Sequence, residues 1–445
     1  MVEESQRRRT ADRRLTRRGL PSDRELPDIY EGTLRWRSAT MAVEGNRAMQ
    51  SSVRTTSCLY GILAVATLWV VAMFATAAFA QEPQPTHWDR PTATALLAYI
   101  QQIDGHGLKP ADYEPAQLQK AIDSGDSAAL ERQADESFGL VAEDLAVGHV
   151  RPGQRLHYNI ASNSLDPALV ARMIDMAITA QKVSWVLDTF APQNPEYAAL
   201  RKALTGPDGA DPAKRRQIAT SLERWRWLPH NPGNKYLMVN LPEYRVRLIE
   251  NGKEIDNHKV IIGKPSLPTP QFSTRVIGVI FSPSWHVPSS IVAESVGSMV
   301  RRNPAAARSH GYSWTTVGGH LSVTQGPGPG NSLGQIKLDM PNPLTVYLHD
   351  TPSKALFDRE DRTFSHGCMR MQDPFGLAER LLDNPFWDRK HIDAVVATRA
   401  TTRVALDRPV PVYVVYMTAV PQPDGSVLYL KDPYKRDPEV AALLS

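Results

Sequence analysis

The spacing of apolar residues divides the chain into two parts near residue 230. In the first part apolar side chains recur every three or four positions, as at Leu96, Ile100 and Ile103, which is the period of an amphipathic helix. In the second part shorter apolar runs predict strands. We therefore expect an α+β protein, with a helical domain over 88–228 and a β-rich domain over 230–430.

The second part contains its own turn signals. Asn251-Gly252 predicts a hairpin, and Pro423-Asp424-Gly425 predicts a second hairpin that pairs the last strand. The Gly/Pro-rich stretch 325–330 predicts a mobile loop within a lid around 289–332, and 431–445 is expected to form a C-terminal tail. The strands are predicted at 236–239, 244–249, 259–262, 275–281, 345–349, 402–406 and 410–419.

An uncharged hydrophobic run occupies residues 58–80. It is long enough to cross a bilayer, and it ends in Ala78-Phe79-Ala80, the small-x-small pattern of a signal-peptidase site. The run is therefore expected to be a signal peptide or an uncleaved signal anchor, and either would export the rest of the chain. Residues 1–57 predict a disordered basic extension, within which Met41 is an alternative start.

Charge is unevenly distributed along the chain. Residues 1–57 contain twelve Lys or Arg and eight Asp or Glu, which accounts for the whole formal net charge of +4. The part after residue 80 therefore contains equal numbers of basic and acidic residues. A balanced domain without a basic stripe argues against nucleic acid as a partner.

Cys368 is the only cysteine after the hydrophobic run, in which Cys58 lies. A lone cysteine is often a small buried hydrophobe, but in an exported protein it can also be a reactive thiol. Cys368 follows Ser365, His366 and Gly367. Glycine lets the backbone approach a ligand closely, and polar groups beside a thiol favour its thiolate.

A reactive cysteine needs a base, and His349 ends a predicted strand nineteen residues earlier. A strand carrying His349 and a turn carrying Cys368 would bring imidazole and thiol into hydrogen-bond reach. The N–H groups of Gly367 and Cys368 would then stabilise an oxyanion.

Two other interpretations of these residues stay open. His349, His366 and Cys368 are also a potential zinc ligand set, but no H-E-x-x-H helix accompanies them, so neither a metal nor another cofactor is expected. Alternatively, His349 only ends a strand and Cys368 is buried without a chemical role.

The segment from His349 to Arg370 resembles the catalytic signature of the YkuD-type L,D-transpeptidases, a histidine followed by S-H-G-C-x-R. The helical part, including 106–113, is similar to the scaffold domain of the larger YcbB branch. Further stretches that resemble this branch are 221–229, 239–242, 269–270, 284–288, 333–337 and 348–352.

The resemblance implies that Cys368 is the nucleophile and His349 the general base, with Ser365, His366 and Gly367 shaping the oxyanion hole. It also implies acylation of the thiol by carbapenem-type β-lactams. Arg370 is expected to bind a stem-peptide carboxylate or to form an internal salt bridge. Trp285 and Tyr347 are candidate walls of the substrate groove, although Trp285 could instead rigidify a turn between two prolines.

By resemblance, the protein is expected to be a periplasmic acyltransferase. It would form 3→3 cross-links between peptidoglycan stem peptides through a cysteinyl thioester. A hydrolase with the same site, an envelope protein as acceptor, and a non-catalytic wall-binding protein remain alternatives. Membrane contact is expected only through an uncleaved anchor.

Two departures from the family pattern stand out. The space between residues 203 and 222 is too short for the peptidoglycan-binding module that many relatives insert there. His366 stands where many of the branch have a serine, which leaves two histidines beside the thiol.

Overall fold

A computed structural model describes residues 87–445 of the protein. The predicted basic extension over 1–57 and the hydrophobic segment over 58–80 lie outside this range. A search of residues 87–445 for a helix long and apolar enough to span a membrane finds none.

The first part of the described chain is helical, as predicted. Its α-helices are α1 (Arg90–Gln101), α2 (Pro115–Ser124), α3 (Ser127–Ala146), α4 (Pro167–Ala180), α5 (Val183–Asp188), α6 (Pro195–Leu204) and α7 (Pro212–Arg226). Short 3₁₀ turns lie between them at Ile103–His106, Pro110–Tyr113, Pro152–Gln154 and Pro207–Ala210.

Capping residues explain where most of these helices begin. Five of them follow an Asp or Asn whose side chain accepts a hydrogen bond from an amide of the first turn, and four of these five have proline at the start. The capping side chains satisfy amide groups that a helix N-terminus leaves without partners, and proline at this end has no amide hydrogen that needs one. The five caps are Asp89, Asp126, Asp166, Asn194 and Asp211.

The second part is built on a ten-stranded sheet. Residues 87–445 contain fifteen strands, ten of which form this sheet. They are β1 (Tyr158–Asn159), β2 (Lys235–Asn240), β3 (Arg245–Glu250), β4 (Lys253–Gly263), β5 (Gln271–Phe281), β6 (Trp285–His286), β7 (Tyr312–Val317), β8 (His320–Gln325), β9 (Ile336–Asp339), β10 (Leu348–His349), β11 (Thr363–Ser365), β12 (Met369–Met371), β13 (Thr402–Val415), β14 (Ala419–Pro421) and β15 (Val427–Tyr429).

The main sheet closes on itself. Its order is β1-β5-β13-β2-β3-β4-β12-β10-β9, with β11 beside β4, and β9 also pairs with β5. Strands β6, β8 and β7 form a separate small sheet, and β14 pairs with β15. The ring brings β9, β10 and β12 side by side, although long connections separate them in sequence.

Side-chain alternation gives the sheet two buried faces. In β2, Leu237 and Val239 belong to the core of the ring, whereas Tyr236 and Met238 pack into the core of the helical part. Strand β1, from the helical part, also pairs with β5. The two parts therefore share a core and are less separate than the change in apolar spacing suggests.

Two further helical segments flank the ring. One runs through α8 (Ser289–Ile291), a π-helical turn (Val292–Val296), α9 (Gly297–Arg302) and α10 (Pro304–Ser309), and it packs with the small sheet around its own apolar cluster. The other consists of α11 (Pro374–Leu382) and α12 (Arg389–Ala397), whose apolar faces complete the core of the ring. The 3₁₀ turns here are Lys354–Asp358 and Pro385–Trp387, and α13 (Asp437–Leu443) ends the chain.

Three local predictions are wrong in detail. The predicted strands at 402–406 and 410–419 form one strand, β13, because a register shift between Ala405 and Val410 accommodates the intervening residues. The turn at 423–425 instead joins β14 to β15. The predicted strand at 345–349 shortens to Leu348–His349, since Thr345 adopts a left-handed φ of 52°.

The predicted mobile loop at 325–330 is held by hydrogen bonds. The Asn331 side-chain amide donates to the carbonyls of Pro283, Gln325 and Gly326. The Gln325 amide donates to the carbonyls of His310 and Gly330. The loop is therefore a tied turn at the edge of the small sheet.

Helix α7 contains a buried ion pair between two of its own side chains. Glu223 and Arg226 are both fully buried, and an Arg226 nitrogen lies 2.6 Å from a Glu223 oxygen. Trp227 donates to the same carboxylate, and Trp225 and Trp227 are both buried. This Trp pair therefore packs in the core.

Candidate active site

Strand register places four predicted site residues and one further charged residue on the same face of the ring. His349 of β10 lies directly opposite Lys337 of β9 and Arg370 of β12. Because side chains alternate along a strand, Tyr347 and Cys368, each two positions earlier, lie on the same side. The structure thus brings the predicted nucleophile and the predicted base together through the sheet.

The turn before Cys368 is held by its own hydrogen bonds. The Ser365 hydroxyl donates to the Cys368 carbonyl and accepts from the Gly367 amide at 3.1 Å. Gly367 has a φ of 114°, a conformation that strains residues with a Cβ. Ser365 and Gly367 therefore shape the turn, and the Gly367 amide expected in an oxyanion hole is already engaged.

Thr269 supports this turn from below. Its side chain is fully buried; its hydroxyl donates to the Gly367 carbonyl at 2.8 Å and accepts from the Gly263 amide at 2.9 Å. The Thr269 amide donates to the Tyr434 hydroxyl, and an Arg436 nitrogen donates to the Thr269 carbonyl. The segment predicted as a tail therefore contacts the support of the cysteine turn.

A cavity of about 490 Å³ opens over the thiol. Trp285, Tyr347, His349, Cys368 and Arg370 all line it. Helical residues of the predicted lid close the opposite side, among them Ile291 and Val296. Trp285 is buried and Cys368 is half-buried, so a bound chain would reach the sulfur along a partly apolar wall.

Burial raises the pKa of the Cys368 thiol, because it penalises the charged thiolate. Contacts with the backbone and hydroxyl of Tyr347, and the charges of Lys337 and Arg370, act in the opposite direction. Within residues 87–445, the one hydrogen bond that the thiol donates goes to the Thr345 carbonyl, at a long 3.8 Å. The thiol thus makes no short hydrogen bond to an acceptor within residues 87–445, and it lines the cavity.

His349 is a neutral, buried imidazole. Burial, followed by the charge of Arg370, lowers its pKa to about 3, although the backbones of Asp350 and Leu333 favour the protonated ring. Its Nδ1 hydrogen-bonds with the Asp350 carbonyl, which fixes the proton on Nδ1 and leaves Nε2 as the basic atom. Among the contacts of residues 87–445, no hydrogen bond joins His349 to Cys368.

His366 lines the same cavity as the thiol, and its imidazole contacts the predicted lid. Its Nε2 lies 2.9 Å from an oxygen of Glu294, in the π-helical turn of the predicted lid. Lys264 contacts the other oxygen of Glu294 at 3.0 Å, and this hydrogen bond is the main reason that the pKa of Glu294 is lowered. His366 thus connects the cysteine turn to the lid.

The zinc alternative is not favoured by the positions of its ligands. A search of residues 87–445 for groups of three or more potential metal-binding His, Cys, Asp or Glu side chains finds none. His366, one of the three proposed ligands, is instead bound to Glu294.

Arg370 has no acidic partner among the salt bridges of the described chain, so the internal salt bridge considered for it is not formed. Burial lowers its pKa, yet the guanidinium lines the cavity. A cation in this position suits a carboxylate ligand.

From the sequence, Lys337 and Thr269 stand out only as members of stretches that resemble the YcbB branch, and neither is given a role in the site. A single lysine between two apolar residues looks like the exposed face of a strand, and a threonine in a loop has no pattern. Only the register of β9 on β10 and the long-range bond to Gly367 reveal them.

Comparison with known proteins identifies the class to which this fold and site belong. Residues 234–412 match the YkuD family, the L,D-transpeptidase catalytic domain, and residues 77–204 match the Scaffold domain. The chain belongs to the YkuD-type L,D-transpeptidases, a family of acyltransferases, with a scaffold domain ahead of its catalytic domain. The predicted family and fold class are confirmed.

Individual relatives are more distant. A curated Haemophilus influenzae protein, provisionally named an L,D-transpeptidase, is 28% identical over 242 residues, which cover 50% of this chain and 48% of the relative. The chain thus spans about half the length of the curated relative it matches.

Two solved structures cover 41% of this chain. The L,D-transpeptidase from Mycobacterium smegmatis is 13% identical, with 58% of its own chain covered and a TM-score of 0.24. Mycobacterium tuberculosis L,D-transpeptidase 1 is 16% identical, with 61% covered and a TM-score of 0.21.

Proposed function

We propose that this protein is a periplasmic L,D-transpeptidase that joins peptidoglycan stem peptides by 3→3 cross-links, with Cys368 as its nucleophile. The observation that carries the proposal is the convergence of Cys368, His349 and Arg370 on one cavity at the meeting of three strands. The family acts on peptidoglycan stem peptides, which supports this class of substrate.

In the first half-reaction His349 acts as general base. Its Nε2 accepts the thiol proton as the sulfur attacks the carbonyl between the third residue of a tetrapeptide stem, a diaminoacid, and the terminal D-alanine. The imidazolium then returns that proton to the leaving amine, and D-alanine departs. The thioester on Cys368 keeps the rest of the stem.

In the second half-reaction the side-chain amine of a neighbouring stem attacks the thioester. His349 accepts a proton from this amine and returns it to the departing sulfur, so the free thiol is restored. Burial lowers the pKa of His349 and so keeps the imidazole unprotonated at the start of each step.

The cavity walls suggest how the donor is held. Arg370 would bind a carboxylate of the stem, because it is the partly buried cation of the cavity lining. Trp285 and Tyr347 would lie along the peptide. The Cys368 amide is the candidate oxyanion donor, since the Gly367 amide bonds to Ser365.

The test is to incubate the purified protein with a disaccharide-tetrapeptide and to measure the products by mass spectrometry. We expect a cross-linked dimer and free D-alanine, both lost in Cys368→Ala while the thermal unfolding midpoint is retained. A trimmed stem alone would indicate a hydrolase, and unchanged substrate would indicate a wall-binding protein. A stem attached to an added envelope protein would indicate a protein acceptor.

A further inference from the structure

Lys337 lies directly behind one wall of the cavity. Its neighbours Ile336 and Leu338 are fully buried in the core of the ring, so Lys337 projects from the other face of β9. Its Nζ is 3.8 Å from the centre of the Tyr347 ring. At this distance an ammonium group is attracted to the negative face of the ring.

No salt bridge within residues 87–445 joins the Lys337 ammonium to a carboxylate, although the charge of Asp339 raises the pKa of Lys337. Asp339, two positions along β9, is paired with Arg403, and Asp350 is paired with Lys354. Among the salt bridges of residues 87–445 none includes Lys337. A half-buried ammonium without a counter-ion acts on its surroundings more strongly than a paired one.

The thiol lies next to this ammonium group. Burial lowers the pKa of Lys337, whereas the thiolate of Cys368 raises it; in return, Lys337 is the foremost charge that lowers the pKa of Cys368. The Tyr347 ring holds the ammonium on its face, and hydrogen bonding from its hydroxyl favours the thiolate and so lowers the pKa of Cys368. The other titratable groups around the thiol are His349, Arg370 and His366, and His366 is paired with Glu294.

We infer that Lys337 is a positioning residue for the nucleophile: it fixes Tyr347 so that the phenol hydroxyl points at the Cys368 sulfur, and its charge favours the thiolate. An ammonium on the ring face draws electron density from the phenol, which makes the hydroxyl a better hydrogen-bond donor. The inference rests on the proposed function for the identity of the nucleophile.

Arg370 cannot serve this purpose as well. It lines the cavity, where a bound carboxylate would neutralise it. Lys337 is absent from the cavity lining among the described residues, since Tyr347 covers it. A ligand in the cavity would therefore leave the Lys337 charge unneutralised, and this charge would continue to favour the Cys368 thiolate.

The test measures the thiol directly, without turnover. The rate of Cys368 alkylation by iodoacetamide is followed from pH 5 to pH 10, with peptide mapping by mass spectrometry because Cys58 is also present in the full chain. Lys337→Met should shift the profile to higher pH and lower the rate near neutrality about tenfold. Lys337→Arg, which keeps the cation, should stay within about twofold of the parent.

Tyr347→Phe tests whether the effect passes through the phenol. It should also shift the profile, and adding Lys337→Met should lower the rate less than the product of the two separate effects. The matched control is Lys214→Met, which removes an ammonium 5.1 Å from the Tyr429 ring in the helical part and should leave the profile unchanged.

An unchanged profile in Lys337→Met, or an equal loss in Lys337→Arg, would overturn the inference. If Lys337→Met unfolds below the assay temperature, Lys337→Gln takes its place and the same outcomes apply. The pH profile of Cys368 alkylation can be measured whether or not the protein joins stem peptides. Failure of the cross-linking assay would therefore refute the proposed function separately.

Discussion

The helical part and the sheet part each bury one histidine with a depressed pKa. Burial lowers the pKa of His106 to about 4 and that of His349 to about 3. At His106 both ring nitrogens have side-chain partners: Nδ1 contacts the Tyr197 hydroxyl, and Nε2 contacts Tyr99 and Asp188. At His349, Nδ1 hydrogen-bonds with the Asp350 carbonyl and the Leu333 backbone also acts on the ring, but no side chain among residues 87–445 occupies Nε2.

The surroundings of the two histidines differ in a second way. The cavity beside His106, of about 240 Å³, contains the hydroxyl of Ser184, but neither nitrogen of His106 is left to activate it. The cavity beside His349 contains a thiol, and the imidazole there retains a basic atom. A low pKa therefore reports burial, and a free nitrogen facing a nucleophile is what indicates catalysis.

Two single variants, each with one of these histidines replaced by alanine, should give the largest difference between a catalytic and a structural histidine. We expect His349→Ala to lower the rate of stem joining about 10²- to 10⁴-fold with little loss of stability. His106→Ala should keep its rate per folded molecule but lose about 2–4 kcal/mol of unfolding free energy, because it leaves a cavity and unpaired hydroxyls. Urea unfolding and product analysis on the same samples check both. Equal loss of rate in the two variants would refute the distinction.

Removing one buried hydroxyl from each part gives a finer comparison. Thr269→Val should lower the rate about 10- to 100-fold, because the Gly367 carbonyl loses its donor and the turn carrying Cys368 shifts. The control is Thr220→Val in α7, where the buried hydroxyl donates to the Gln217 carbonyl. That variant should change the unfolding midpoint but leave the rate per folded molecule unaltered. A Thr269→Val enzyme with the parental rate would deny that the bond positions the turn.

Acid should destabilise the native protein through both histidines. Each is neutral when folded, while the unfolded chain takes up a proton below about pH 6.5. The unfolded state therefore binds more protons between pH 6.5 and the folded pKa, and stability falls as the pH drops through this window. For His106 we expect a loss of roughly 2 kcal/mol by pH 5. Unfolding of His106→Gln should depend less steeply on pH, whereas exposed His320→Gln serves as the control.

The smallest effect is expected from the link between the lid and the cysteine turn. Glu294→Gln weakens the contacts with His366 and Lys264, and should slow carbapenem acylation of Cys368 by a factor of about two to five. Intact-mass measurement over time gives this rate. Glu360→Gln removes a comparable exposed pair with Lys431 and should have no effect. A faster reaction in Glu294→Gln would instead mean that the link holds the cavity shut.

Local sequence pattern was sufficient to predict the two parts of the fold and to select Cys368 and His349 as candidate site residues. Helical spacing, strand runs and a short motif are all encoded in neighbouring residues. Closure of the ring was not predictable, because β5 and β9 are joined by pairings between segments far apart in sequence. For the same reason the shared core of the two parts, and the placement of Lys337 beside Tyr347, were missed.

Other errors arose where tertiary contacts overruled local signals. The Gly/Pro composition of 325–330 suggested mobility, yet the Asn331 amide, buried beside the loop, ties it with three hydrogen bonds. The tail at 431–445 had no recognisable pattern. Its role depends on Tyr434 and Arg436, which contact a threonine about 165 positions earlier.

The contacts of this last segment bear on when the protein becomes reactive. Arg224 of α7 and Arg436 lie on the Tyr416 ring, at 5.1 and 5.0 Å from its centre, and Tyr434 and Arg436 then complete the hydrogen bonds of Thr269. During synthesis, residues 365–368 are made well before residues 434–436. A partly synthesised chain thus carries its thiol on an unsupported turn. Reactivity should mature only after residues 434–436 have docked, which would keep the thiol unreactive while the chain is still being synthesised.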